Sequence, residues 1–209
     1  MAAPIKIQRE NLLLAEGEDS KYFFWYLLDA LGIENIDVHD YHGIRDLTRY
    51  INTLQKVGNY NTVKTILVVR DAEKSAISEI QSINASLKSN GIITTDIKPF
   101  EIVKQAIQTG IMTFPGLDES SKVIETGTLE DFCLKIFKEQ SIIEKSGSYI
   151  QDFLKNESSF HRPHKNQLHA ALSFTDKYVG LKIGETTKAG GFDFESVYLK
   201  PFLDVLRAV

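Results

Sequence analysis

The sequence predicts an α/β protein in which a small parallel sheet carries helices on both faces, followed by a mostly helical C-terminal extension. Two strand candidates, residues 12–15 and 65–70, contain short apolar runs with the composition of strands that are buried on both faces. Further strand candidates lie at residues 36–38 and 102–113, the latter long enough for one or two strands. Because amphipathic segments separate these runs, right-handed crossovers and a parallel sheet are expected.

Capping residues indicate where the helices of this core begin and end. The three predicted helices span residues 21–31, 44–57 and 75–89. Asp19 and Ser20 are the N-cap candidates of the first helix, which ends at Gly32, and Ser75 is the N-cap candidate of the third. Each helix carries an apolar stripe wide enough to pack on a sheet.

The remainder of the chain is predicted to be mostly helical. Thr128 and Asp131 have the spacing of a capping box at the start of a helix. Helical periodicity also covers residues 146–153, 168–178 and the C-terminal segment, whereas the glycine-rich residues 180–191 are expected to form a loop. We therefore divide the chain into an α/β core, residues 1–145, and a helical extension, residues 146–209, packed together as one compact unit.

Composition narrows the class of protein. The chain has 209 residues, of which 43% are hydrophobic and 25% charged, as in ordinary globular proteins. A net charge of −4 argues against a broad nucleic-acid surface. No apolar run is as long as a membrane span, the N-terminus lacks a signal-peptide pattern, and Cys133 has no second cysteine to pair with. These features predict a cytoplasmic protein with no membrane partner, and they leave a homo-oligomer open.

Acidic residues follow both buried strands at the point where each strand ends. Glu16 follows the first strand, and Asp71 and Glu73 follow the second. Because the carboxyl ends of parallel strands meet at one edge, where open α/β sheets bind ligands, these carboxylates are expected at one site. Two charges about 4 Å apart repel by roughly 4 kcal/mol at an effective dielectric of about 20, and a cation removes that cost.

Oxygen ligands favour Mg²⁺ or Mn²⁺ over zinc at this edge, since no cysteine or histidine is close in sequence. An alternative stays open, in which the same acids cap or salt-bridge helix starts.

At these residues the sequence resembles Toprim domains, which occur in topoisomerases, primases and overcoming-lysogenization-defect-type nucleases. Residues 13–19 (LLAEGED) resemble the first Toprim motif, and residues 67–73 (LVVRDAE) resemble the second, with Glu73 where an aspartate is usual. Over nearly its whole length the chain is similar to a stand-alone prokaryotic Toprim-related family of unknown function. The further blocks that carry this similarity are residues 127–134 (GTLEDFCL), 164–171 and 184–185.

The resemblance implies a Toprim-like, Rossmann-like fold and metal-dependent phosphate chemistry. It implies that Glu16 is a general acid or base near a phosphodiester, and that Glu16, Asp71 and Glu73 bind Mg²⁺ or Mn²⁺. Glutamate at position 73 keeps the carboxylate on a side chain one methylene longer. Glu130 and Asp131 are further candidate ligands, and their alternative role is that of ordinary first-turn helix acids.

Basic residues near the last block are candidate phosphate contacts. Arg162 and Lys165 could touch a phosphate, with a solvated loop as the alternative. His161, His164 and His169 match no standard zinc spacing.

Two functions are compatible with the sequence. The first is Mg²⁺-dependent chemistry on a phosphodiester or phosphate group of a nucleic acid or nucleotide, which the acidic cluster favours. The alternative is a non-catalytic, metal-dependent module that binds nucleic acid or a protein, which the modest net charge favours.

Overall fold

A five-stranded sheet forms the centre of the molecule. The computed structural model describes residues 5–43, 46–156 and 163–209. The strands are β1 (Asn11–Ala15), β2 (Ile36–Asp40), β3 (Thr65–Asp71), β4 (Ile102–Lys104) and β5 (Gln108–Phe114). They lie in the order β2-β1-β3-β5-β4, and every neighbouring pair is parallel except β4 and β5. The predicted α/β class is confirmed, and the architecture is Rossmann- and Toprim-like.

Eight α-helices surround this sheet within the described residues. They are α1 (Gly17–Ala30), α2 (Leu47–Leu54), α3 (Ala76–Ser89), α4 (Leu129–Ile136), α5 (Gln140–Asn156), α6 (Pro163–Ser173), α7 (Ile183–Lys188) and α8 (Lys200–Leu206). Among the helices in these parts of the chain, none is both long and apolar enough to cross a bilayer. The boundary predicted after residue 145 lies inside α5, and the division into core and extension stays a prediction.

Two apolar cores cover the two faces of the sheet. Alternate residues of a strand point to opposite faces, so Leu13 and Val69 contribute to one core and Leu14 and Val68 to the other. The first core also receives side chains from α1, α4, α6, α7 and α8, and the second receives them from α2 and α3. The C-terminal helices therefore share a core with the sheet.

The first helix begins earlier than predicted. Its N-cap is Glu16 and its first residue is Gly17, so Asp19 and Ser20 lie inside the helix. A φ of +80° at Gly17 makes the abrupt turn from strand to helix, which a residue without Cβ adopts easily. The Gly17 N–H donates to Asp40 Oδ1 of the neighbouring strand at 3.0 Å, so the cap comes from a residue distant in sequence.

The glycine-rich residues 180–191 are not a loop throughout, because they contain α7. Gly184 allows this helix to press against α1, since a Cβ at this position would lie 2.4 Å from Cβ of Tyr22. Other boundaries shift less. The segment around residues 102–113 forms two antiparallel strands, α5 begins before residue 146, and α6 lies earlier than predicted. The capping roles of Ser75 and Thr128 are confirmed.

Candidate functional site

A cavity of about 720 Å³ opens at the carboxyl edge of the sheet. It lies between the β1–α1 turn, the end of β3, the start of α4, and residues of α6 and the α7 N-terminus. Its acidic lining residues are Glu16, Glu18, Asp19, Asp71, Glu73, Glu130 and Asp131, and its basic or histidine residues are His164, Lys165, His169 and Lys182. Every described residue that the sequence predicted for the site therefore borders this one cavity. Arg162 and His161 lie outside the described residues.

Glu16 is held at the site with an unsatisfied oxygen. Its side chain is 17% exposed, and although Glu16 is the N-cap residue of α1, its carboxylate makes no capping hydrogen bond. Oε2 is buried without a hydrogen-bond partner, at 3.6 Å from Nε of Arg70. That separation permits electrostatic attraction but is too long for a hydrogen bond. Burial raises the pKa of Glu16 to about 7, against an opposing effect of the Arg70 charge.

Asp71 uses one oxygen for structure and leaves the other available. Its Oδ1 accepts a hydrogen bond from the Leu129 N–H at 2.9 Å, in the first turn of α4. Burial raises the pKa of Asp71 well above its usual range, and the charges of Glu130 and Glu16 raise it further. The helix-capping alternative is thus part of what Asp71 does, while burial and the neighbouring charges of Glu130 and Glu16 disfavour its ionised form.

Glu73 is fixed through its backbone. Its N–H donates to the carbonyl of Gly127 at 2.8 Å, and the Gly127 N–H donates back at 3.0 Å. Its φ of +51° lies in the left-handed region, which is costly for a residue with Cβ and is often retained at functional sites. This bridge holds the end of β3 against the segment that leads into α4, so the two acidic motifs share one rigid frame.

Glu130 and Asp131 are paired with basic side chains of α6. Lys165 Nζ lies 3.2 Å from Glu130 Oε1, and His164 Nδ1 lies 2.7 Å from Asp131 Oδ1. Asp131 Oδ2 accepts from the N–H of Thr128 at 2.8 Å, completing the capping box. Burial opposes ionisation of Glu130, but hydrogen bonds and the Lys165 charge keep its pKa below the usual range. These contacts favour the helix-acid alternative for Asp131, whose two oxygens both have partners.

The carboxylates suit Mg²⁺ chemically without forming a complete cage. In the described parts of the chain, no group of three or more His, Cys, Asp or Glu side chains is arranged to hold a metal ion. Mg²⁺ does not require such a group, because it keeps several waters and is usually held by one or two carboxylates together with substrate phosphates. The buried Oε2 of Glu16 and the second oxygen of Asp71 are carboxylate oxygens, the type of ligand that Mg²⁺ prefers. The metal site stays a prediction.

Three residues of this region were not predicted from the sequence. Asp40 is the last residue of β2, and Glu16 directly follows β1. This position at the carboxyl end of a strand could have identified Asp40 from the sequence. Lys182 is the residue before α7, and it lines the cavity. The glycine-rich composition of this segment concealed the helix. Arg70 reads as one more residue of an apolar strand, and only the structure reveals that its side chain is fully buried beside Glu16.

Sheet and cavity together define an α/β protein with a Rossmann- and Toprim-like sheet and a carboxylate-lined cavity at its carboxyl edge. The chain belongs to the DUF3226 family of proteins of unknown function, whose sequence profile matches residues 10–209. No curated protein matches the sequence significantly.

Among solved structures, the chain is similar to the C-terminal regions of two OLD proteins. The region from Xanthomonas campestris pv. campestris is 14% identical, with 97% of each chain covered and a TM-score of 0.48. The region from Burkholderia pseudomallei is 16% identical, with 97% of this chain and 98% of that chain covered and a TM-score of 0.43. Because these similarities are low, the assignment of the fold rests on the sheet order described above.

Proposed function

We propose that this protein performs Mg²⁺-dependent hydrolysis of a phosphodiester or phosphate bond in a nucleic acid or nucleotide. The observation that carries the proposal is the meeting of Glu16, Asp71 and Glu73 at one cavity, at the ends of adjacent parallel strands. Lys165 and Lys182 border the same cavity. Carboxylates for a hard cation next to lysines for phosphate oxygens are the groups that phosphate hydrolysis requires.

Each acid has a separate role in this proposal. Glu16, with a pKa of about 7, can hold or accept a proton near neutral pH, as a general acid or base must. Asp71 would bind the cation through the oxygen that Leu129 does not occupy, Glu16 would contact the same cation when it is ionised, and Glu73 would complete the ligands at the mouth of the cavity. A bound Mg²⁺ would neutralise the charge of the phosphate oxygens.

Electrostatics explains why a cation belongs in the proposal. Seven carboxylates line the cavity against two lysines and two histidines, so a phosphate entering alone would be repelled. Lys165 is committed to Glu130 at 3.2 Å, which leaves Lys182 as the described lysine better placed to meet an incoming phosphate. A cation at the inner acids would reverse the local charge and admit the substrate.

The proposal is tested by a nuclease and phosphatase screen with Mg²⁺ and with Mn²⁺. Glu16→Gln keeps the shape of the side chain and removes its proton chemistry, so turnover should fall by about 10²-fold or more. Glu10→Gln is a matched control, because Glu10 precedes the amino end of the same strand and pairs with Lys64 instead. Loss of activity in both variants, or in neither, would contradict the role of Glu16.

The binding-module alternative has a different outcome in the same samples. It predicts no turnover with any substrate, together with oligonucleotide binding that requires Mg²⁺ and is lost in Glu16→Gln. Fluorescence anisotropy with a labelled oligonucleotide, in Mg²⁺ and in chelator, measures this directly.

A further inference from the structure

A buried guanidinium lies beneath the cavity, on the α3 side of the sheet. The Arg70 side chain is 0% exposed, and it does not line the cavity. Its Nη1 donates to Glu79 Oε2 of α3 at 3.1 Å, and its Nε donates to the hydroxyl of Tyr41 at 3.0 Å. A cation buried to this extent needs charged and hydrogen-bonding partners, and Glu79 and Tyr41 are among those that supply them.

The same guanidinium forms an ion pair with Glu16 but makes no hydrogen bond to its Oε2. Nε–H points to the Tyr41 hydroxyl, and Oε2 of Glu16 stays 3.6 Å from Nε with no hydrogen-bond partner. Arginine and a carboxylate that meet freely form short, often bidentate hydrogen bonds. Glu16 and Arg70 are close enough to make one, so a competing contact must hold the donor away.

We propose that Tyr41 and Glu79 are positioning residues of the site, which restrain Arg70 so that it attracts Glu16 without capturing its free oxygen. Glu16 is then held near the sheet by charge, while Oε2, buried in the metal-free structure, makes no hydrogen bond that a cation would have to break. This inference rests on the proposed function for its consequence, namely that Glu16 binds a cation, but the arrangement of Arg70 can be tested without metal.

Removing the Tyr41 hydroxyl should release the donor. In Tyr41→Phe the ring stays in the core, and the Nε–H of Arg70 loses its acceptor, so it should turn to Oε2 of Glu16. The substitution strands no backbone acceptor, since the carbonyl of Val69, 3.5 Å from the Tyr41 hydroxyl, also accepts from the Glu16 N–H at 3.2 Å. Glu79→Gln is a second variant with the same expected direction, because it weakens the opposing pull on the guanidinium.

The first readout is the Nε–H resonance of Arg70 in metal-free protein, observed by NMR. It should move downfield in Tyr41→Phe, as expected for a hydrogen bond to a carboxylate, and the movement should vanish when Glu16→Gln is added. A resonance in Tyr41→Phe that does not respond to Glu16→Gln would overturn the inference. Tyr50→Phe is the matched control, because its hydroxyl bonds to His39 at 2.8 Å on the same side of the sheet.

The second readout is the Mg²⁺ dissociation constant from calorimetry. Capture of Glu16 by Arg70 should weaken binding about tenfold in Tyr41→Phe and in Glu79→Gln, the lower end of what outer-shell partners contribute at metal sites, and leave Tyr50→Phe unchanged. Wild-type affinity in both variants would overturn the inference. Should wild-type protein fail to bind Mg²⁺ while the Arg70 resonance moves as expected, the proposed function fails and the restraint on Arg70 stands.

Discussion

Replacing Glu16 by glutamine should flatten the pH dependence of stability in the metal-free protein. Burial raises the pKa of Glu16 from 4.5 to about 7, so the folded protein binds this proton more tightly than the unfolded chain does. Its contribution to stability is complete below pH 4.5 and is lost as the pH rises through 7. Glutamine does not titrate and cannot contribute such a slope.

The size of the effect follows from the pKa. The interval between 4.5 and about 7 corresponds to a fall of about 3 kcal/mol in the free energy of unfolding as the pH rises. The side chain is only 17% exposed, so solvent screens this cost little, and the figure is an upper limit. For a domain of this length the corresponding shift in Tm is about 6 to 12 °C.

Denaturant unfolding at a series of pH values, in chelator, measures this quantity. Because glutamine also removes a negative charge near Arg70, the absolute stabilities of the two proteins will differ at every pH. The slopes are therefore compared, with Glu10→Gln as a control that should keep the wild-type slope. Asp71 also has a raised pKa, so some loss of stability toward high pH should persist in Glu16→Gln.

Parallel curves for wild type and Glu16→Gln would refute the reasoning. They would mean that Glu16 has the same pKa in the folded and unfolded states, as expected if attraction to Arg70 fully compensates its burial. The free-oxygen description of Glu16 would then be wrong.

Three further predictions concern the rest of the site. Asp71→Asn should raise Tm in chelator by an amount equivalent to about 1 kcal/mol of stability, because the repulsion among the carboxylates is relieved and the amide oxygen still accepts a hydrogen bond from the first turn of α4. A lower Tm would mean that the charge of Asp71 acts mainly as a helix cap. Gly184→Ala should destabilise by about 1 to 3 kcal/mol in denaturant unfolding, since its Cβ would meet Tyr22 at 2.4 Å, whereas Gly58→Ala, in open space, should not show this loss. Lys182→Ala should weaken oligonucleotide binding by about tenfold in anisotropy titrations and Lys182→Arg should restore it; equal affinities would place the phosphate elsewhere.

Much of the fold was predictable because its signals are local. Residues 12–15 and 66–69 are apolar without alternation, as in a strand covered on both faces, and both lie in interior strands of the sheet. The parts that were missed depend on contacts between distant residues. The early start of α1 depends on Asp40, and α7 exists within a glycine-rich segment because Gly184 fits closely against α1.

The same distinction applies to the site. That Glu16 and Asp71 reach one edge of the sheet was predictable, because each acid follows a buried strand and the carboxyl ends of parallel strands meet at one edge. The partners of these acids could not be identified, because nothing near Arg70 in sequence shows that it lies under Glu16 or that Tyr41 bonds to it. Local sequence thus predicts which carboxylates reach the carboxyl edge of the sheet. Tertiary packing decides how far neighbouring groups neutralise the charge of each.

The central claim is that the carboxylates at this edge bind a divalent cation, and anomalous diffraction from crystals soaked in Mn²⁺ tests it most directly. We expect an anomalous peak within bonding distance of Asp71 and Glu16, with Glu73 at its outer side, and no such peak in Asp71→Asn crystals. A Mn²⁺ peak elsewhere on the molecule, with none between these carboxylates, would contradict the claim.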